Sequence, residues 1–180
     1  MIDTCVLYPT VMREVVLGCA EKGLFAARWS DRIEEEWARA AAKIGPDGET
    51  IARGEIALLR ARFPDARVPV PVPVVARGRY RLPDPDDVHV LAAAVAGSCD
   101  AIMTLNARDF PGNLLAEEGL ARVEPDSFLI RLADEDPVAV SAVGDAVLAE
   151  ARRLSGADWT MRALMKKARL PRLGKRLAAT

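Results

Sequence analysis

The 180-residue chain is long enough for one domain with a single core and an appended helical tail. Apolar residues make up 51% and charged residues 28%, which predicts a folded, soluble protein, and no apolar run approaches the ~20 residues of a membrane-spanning helix. A formal net charge of -1, a single histidine and three dispersed cysteines argue against a His/Cys zinc centre, and against a Ser-His or Cys-His nucleophile unless His89 is the base. Any bound metal is expected to take oxygen ligands. Cys5, Cys19 and Cys99 lack ligand spacing and no secretory leader pattern is present, so a reducing cytoplasm is expected.

In chain order, Ile2 begins a strand that Asp3-Thr4 cuts short. Pro9 then leads into a helix with Val11, Val15, Val16 and Cys19 on one face, closed by Gly23. Leu24–Trp29 is a strand candidate, and Ser30 is an N-cap for a helix burying Ile33, Trp37 and Ala40. A helix over Glu49–Arg62 has Ile51, Ile56, Leu59 and Phe63 as its apolar positions, and Pro64 ends it. Val68–Val75 alternates valine with proline, which lacks the N–H of a central strand, so an extended or edge segment is predicted. Asp84-Pro85-Asp86-Asp87 opens a helix through Val90, Leu91, Ala94 and Val95 that ends near Gly97. A buried strand over Ala101–Thr104, a loop with Asn106 and Asp109, a helix near Leu114–Glu118 and a strand near Arg122–Glu124 follow, with helices from Asp126 onward. Helices alternating with short apolar strands predict an α/β fold with a mostly parallel sheet, whose ligands sit at the carboxyl ends of the strands.

Asp3 and Asn106 each fall just beyond a predicted strand, and Asp87 sits in a first helical turn, where the dipole stabilises a carboxylate by ~0.3–1 kcal/mol. Carboxylates sharing one crevice repel one another and hold a divalent cation well. Taken singly, each has a bland role: Asp3 as a turn residue, Glu34-Glu35-Glu36 as a solvated face, Asp84 to Asp87 as N-capping. Their joint order favours a metal site for phosphodiester chemistry. Beyond Asp158 the chain carries Arg162, Lys166, Lys167, Arg169, Arg172, Lys175 and Arg176 and no acid. This tail reads either as a phosphate-attracting surface or as a solvated helix face, with docking of a partner helix as a further possibility.

The segments Ile2-Asp3-Thr4-Cys5-Val6-Leu7-Tyr8-Pro9, Trp29 to Trp37, Asp84 to Ala94 and Ala101 to Pro111, with Glu124 to Leu129, resemble in order the PIN-domain ribonucleases, and particularly the VapC-like toxins of bacterial toxin–antitoxin pairs. The resemblance implies a PIN-like three-layer α/β nuclease domain over residues 1–130 and a helical extension over 131–180 packed on or next to it. It implies a Mg²⁺- or Mn²⁺-dependent endoribonuclease with Asp3, Glu36, Asp87, Asn106 and Asp109 as its catalytic residues and Asp3 and Asp87 on the metal. Thr104, His89, Lys166 and Lys167 are weaker candidates for positioning RNA. Glu36 is preferred to Glu34 and Glu35 because in similar sequences the acid lies at this distance from Ser-x-x-Ile and directly precedes an apolar residue, here Trp37. A homodimer and a small antitoxin that fills the acidic groove are implied as well.

The chain departs from that family pattern at two points. Asn106 stands where many members carry a fourth aspartate, so it brings an oxygen but no charge. Only Met1 and Ile2 precede Asp3, so the first strand is expected to be nearly missing, Asp3 to sit on a frayed terminus, and the natural product to extend upstream. A haloacid dehalogenase-like phosphatase also begins with an aspartate after a strand, but it needs a second aspartate where Cys5 stands. The alternative of another class is a PIN-like module that binds RNA or an antitoxin without cleavage.

Overall fold

The computed structural model describes residues 1–70 and 80–179. Its elements are α1 (Thr4–Leu7), α2 (Thr10–Glu21), α3 (Asp31–Ala42), α4 (Gly48–Arg62), a 3-10 turn (Pro85–Asp87), α5 (Val88–Ala96), β1 (Ala101–Met103), α6 (Gly112–Glu117), β2 (Ala121–Val123), α7 (Pro125–Glu135), α8 (Pro137–Ser155), α9 (Met161–Lys167) and α10 (Pro171–Leu177). The fold is α/β, with helices dominant and β1 paired to β2 in a two-stranded parallel sheet. The chain divides into two compact units, one of residues 1–5 and 27–122, the other of residues 6–26 and 123–180. No helix among the described residues is long and apolar enough to cross a membrane.

In the first unit the sheet is extended by single bridges. Ile2 pairs in parallel with Met103, and Trp29 pairs in parallel with Arg67. The Met1 carbonyl accepts from Met103 N–H at 2.8 Å and Asp3 N–H donates to the Met103 carbonyl at 3.0 Å, so the first residues are held against β1 and Asp3 is not on a frayed end. The expected strand over Leu24–Trp29 is reduced to the bridge at Trp29, although Arg28 accepts from Ile2 N–H at 2.8 Å. Residues 71–75 of the Val/Pro segment lie outside the described residues; Val68 N–H pairs with the Trp29 carbonyl at 2.8 Å.

Ser30 caps α3, its hydroxyl accepting from Ile33 N–H at 3.4 Å. The helix buries Ile33, Trp37, Ala38 and Ala41, while Ala40 lies at the half-buried edge of that stripe. In α4 the buried stripe is Ala52, Ile56 and Leu59, and Ile51, expected inside, is 61% exposed. One residue is a rotation of ~100° about a helix, enough to move Ile51 off the face that Ala52 shares with Ile56.

The glutamate run is not one solvated face. Glu34 is 2% exposed, accepts the Trp29 indole N–H at 2.9 Å and pairs with Arg60 at 2.6 Å. Glu35 lies in an exposed network with Arg39 and Arg53.

In the second unit, α2 ends at Gly23 (φ 76°), with Leu24 N–H reaching back to the Cys19 carbonyl at 3.2 Å and Gly23 N–H to Ala20 at 2.9 Å. The buried Asp126 carboxylate accepts from Arg172 and Leu173 N–H, both at 2.9 Å, capping α10 from α7. Phe25 packs edge-on to Phe128 with ring centroids 5.1 Å apart.

Glu34→Ala leaves the Trp29 indole N–H without its acceptor inside the first unit, so stability falls by about 1–3 kcal/mol. Urea unfolding should show a lower midpoint with an unchanged slope.

Candidate active site

The turn from Ile2 into α1 and the end of β1 bring Asp3 and Thr104 together. Thr104 Oγ1 donates to Asp3 Oδ2 at 2.7 Å, and the Cys5 thiol donates to the same oxygen at 3.0 Å. Asp3 and Thr104 are both buried. Burial and the Asp3 charge push the Cys5 thiol up to about 12, so it stays protonated as a donor. Thr104 Oγ1 also accepts from Asn106 N–H at 2.9 Å, which sets the start of the following loop.

Glu36, one helical turn on from Arg32, lies beside Thr4, the residue that follows Asp3. Thr4 Oγ1 donates to Glu36 Oε2 at 2.9 Å, and His89 Nε2 lies 2.6 Å from Glu36 Oε1. The histidine contact is a close polar approach without hydrogen-bond alignment, and neither ring nitrogen completes a hydrogen bond, although His89 is 2% exposed. Burial raises the Glu36 carboxyl, but His89, Thr4 and Arg32 together outweigh it and hold the group below its ordinary value. Glu36 is therefore an ionised carboxylate whose two oxygens are both engaged.

Asp84, Asp87 and Asp109 each offer a carboxylate oxygen, and the three oxygens lie within 4.8 Å of one another. The 3-10 turn explains the first pair: Asp84 caps it by accepting Asp86 N–H at 2.9 Å, and Pro85 presets the turn that returns Asp87 to the same side. Asp109 enters from the loop after β1, where Asn106 Nδ2 donates to its Oδ2 at 2.6 Å. Arg122 clamps that loop, donating through Nη1 to the carbonyls of Ala107 at 3.0 Å and Phe110 at 2.9 Å. Burial pushes the Asp87 carboxyl up to about 6, helped by the charges of Asp3, Asp84, Asp109 and Glu36. Five acids thus act on one small region.

Asp3, Glu36, Asp87, Asn106, Asp109, Thr104 and His89 all belong to the first unit. The converging trio takes in Asp87 and Asp109 but not Asp3, which acts on Asp87 through its charge. Lys166 and Lys167 lie on α9 in the second unit. Sequence reasoning treated Asp84 only as a cap, and its spacing from Asp87 was the available signal. Thr4 and Arg122 were also missed; the Asp3-Thr4 dipeptide pointed to the first, and nothing local pointed to the second.

The oxygen donors suit a hard divalent cation such as Mg²⁺ or Mn²⁺, which favours carboxylate and water ligands. Asp84, Asp87 and Asp109 could hold one, and a cation there would offset the repulsion that raises Asp87. Searches of curated proteins and of solved structures returned no match. A family model described as PIN domain matches residues 1–108. The matched span covers more than half of the sequence and holds each of the clustered acids except Asp109, immediately beyond it, and the chain belongs to the PIN-domain family.

Proposed function

We propose that the protein is a metal-dependent endoribonuclease that cuts RNA phosphodiester bonds as the toxin of a VapC-like toxin–antitoxin pair. PIN domains are in general metal-dependent nucleases. The three converging carboxylates of Asp84, Asp87 and Asp109 carry the reading for this chain, since like charges so close gain most from a cation between them. Asp3 joins them as a further acid beside the group.

A divalent cation held by these acids would supply Lewis-acid stabilisation of phosphate charge and make a water more acidic. The chain's own groups do the positioning. Thr104 and Cys5 share Asp3 Oδ2, which fixes the direction of the other carboxylate oxygen. Thr4 and His89 hold Glu36 ionised, so it orients donor hydrogens near the site and repels a second anion. Asn106 aims Asp109 through a bond to one oxygen and leaves the other for a ligand or water. Such fixed placement lowers the barrier by removing reorganisation from the reaction step.

A second reading, a PIN-like module that binds RNA without cleaving it, draws on Asn106, because an amide occupies a place where a carboxylate would add charge. The free cysteines and the RNA substrate fit a reducing cytoplasm. As a toxin of this kind the protein would act as a homodimer and be silenced by a small antitoxin.

Purified protein should cut a mixed pool of structured and single-stranded RNAs with Mn²⁺ or Mg²⁺ and stop in EDTA. Asp87→Ala, folded by circular dichroism, should lower the cutting rate by about 100-fold or more, the scale of losing a positioned catalytic group. Metal-independent cutting, or none by the folded wild type, would favour the binding module. Asn106→Asp should lower the thermal midpoint in EDTA by setting a second charge against Asp109, and should enlarge the upward shift on adding Mn²⁺. An unchanged Mn²⁺ shift would remove Asn106 from the metal's surroundings. Expression of the chain alone should arrest growth, and expression of Asp87→Ala should not.

A further inference from the structure

The second unit carries a basic surface that the nuclease chemistry leaves unused. Arg162 and Lys166 lie one turn apart on α9, Lys175 lies on α10, and Arg169 occupies the turn between the two helices; all four are exposed. The helices approach closely at Gly174, where an added Cβ would stand 2.7 Å from Met165 Cβ and 3.5 Å from Arg162 Cα. Two short helices without a single acid are thus pressed together. Arg162 with Lys166, and Arg172 with Lys175 and Arg176, are like-charge neighbours at helical spacing, an arrangement that weakens a helix. Part of this is offset by contacts to α7, where Arg176 pairs with Asp134 at 3.6 Å and Arg172 Nη1 donates to Ser127 Oγ at 2.9 Å.

Arg169 supplies a second, independent observation. Its φ is 62°, in the left-handed region that side chains other than glycine enter at a cost. The surrounding hydrogen bonds explain the conformation: Leu170 N–H reaches the Met165 carbonyl at 2.8 Å and Arg169 N–H reaches Lys166 at 3.1 Å, a Schellman ending. Helices α2 and α6 end in the same way with Gly23 (φ 76°) and Gly119 (φ 74°), and α5 does so with the small Ser98 (φ 47°). At α9 the position that suits glycine holds the bulkiest cation. Beside it Lys167 Nζ sits 5.0 Å from the centroid of the half-buried Trp159 ring.

We propose that the α9–α10 turn, with Arg169 at its apex and Arg162, Lys166 and Lys175 around it, binds the phosphodiester backbone of single-stranded RNA. A backbone of evenly spaced phosphates matches several cations without intervening acids, and guanidinium forks pair with phosphate oxygens. An aromatic ring among the cations suits unstacked bases. The choice of RNA rests on the ribonuclease reading; the surface gives that enzyme a hold on its substrate that does not depend on sequence.

The test is the affinity of the full-length protein for a fluorescein-labelled, single-stranded RNA of mixed sequence, measured in EDTA across a NaCl series so that no cleavage intervenes. Arg169→Gly relieves the left-handed strain, so its thermal midpoint should equal or exceed that of the wild type while RNA affinity falls about 3-fold and the salt slope drops by about 0.7. The double variant Lys166→Gln/Lys175→Gln should weaken binding by on the order of 10-fold and reduce the slope by about 1.4. Cutting by each basic-surface variant is measured separately in Mn²⁺, so that loss of cutting and loss of grip are read apart. Wild-type slopes in both basic-surface variants would overturn the proposal, as would tighter binding to anionic phospholipid vesicles or to polyglutamate than to the RNA. Reduced slopes in a protein that never cuts would leave the surface standing and remove the nuclease reading.

Discussion

The acids gathered around Asp87 are the feature on which the first unit's site depends: burial raises the Asp87 carboxyl, and the charges of Asp3, Asp84, Asp109 and Glu36 raise it further. Four of the five acids are held by neighbours that have other structural work. The Thr104 hydroxyl at the end of β1 secures Asp3, the Thr4 hydroxyl at the start of α1 secures Glu36, the Asp86 backbone secures Asp84, and the Asn106 amide secures Asp109. None of these neighbours neutralises a charge. The fold orients the acids and leaves Asp87 raised by its neighbours' charges, the state in which a cation gains most by entering.

The same logic separates three consecutive glutamates. Glu34 is drawn inward by the Trp29 indole and Arg60, Glu35 outward by Arg39 and Arg53, and Glu36 sideways to Thr4 and His89. Successive helical residues point about 100° apart, so a run of one residue type distributes over three environments. Glu34 departs furthest from the solvated face that composition alone would expect.

The elements with strong local signals were legible in the sequence. Ser30, Asp84-Pro85 and Gly23 mark helix ends through capping and left-handed turns, and the helices begin and end beside them. The strands were harder to read, because β1 and β2 have three residues each and the remaining pairing is by single bridges at Ile2 and Trp29. Three hydrogen bonds to β1 secure the first residues, and a pairing so distant along the chain leaves no periodicity to read. At the candidate site, Asp3, Asp87 and Asp109 stood out as acids near element ends. Asp84 did not, because a capping role accounts for it locally and its second role appears only when the loop carrying Asp109 arrives.

The Arg122 clamp bears on how the acids would meet an ion. By donating to the Ala107 and Phe110 carbonyls, one side chain from β2 fixes both ends of the stretch that carries Asp109. The backbone entropy of that stretch is lost when the chain folds, and little remains to be lost when a ligand arrives. Arrival should therefore be governed by desolvation of the ion and its fit among the carboxylates, with fast capture and no slow ordering phase. In that respect the loop behaves as part of the scaffold.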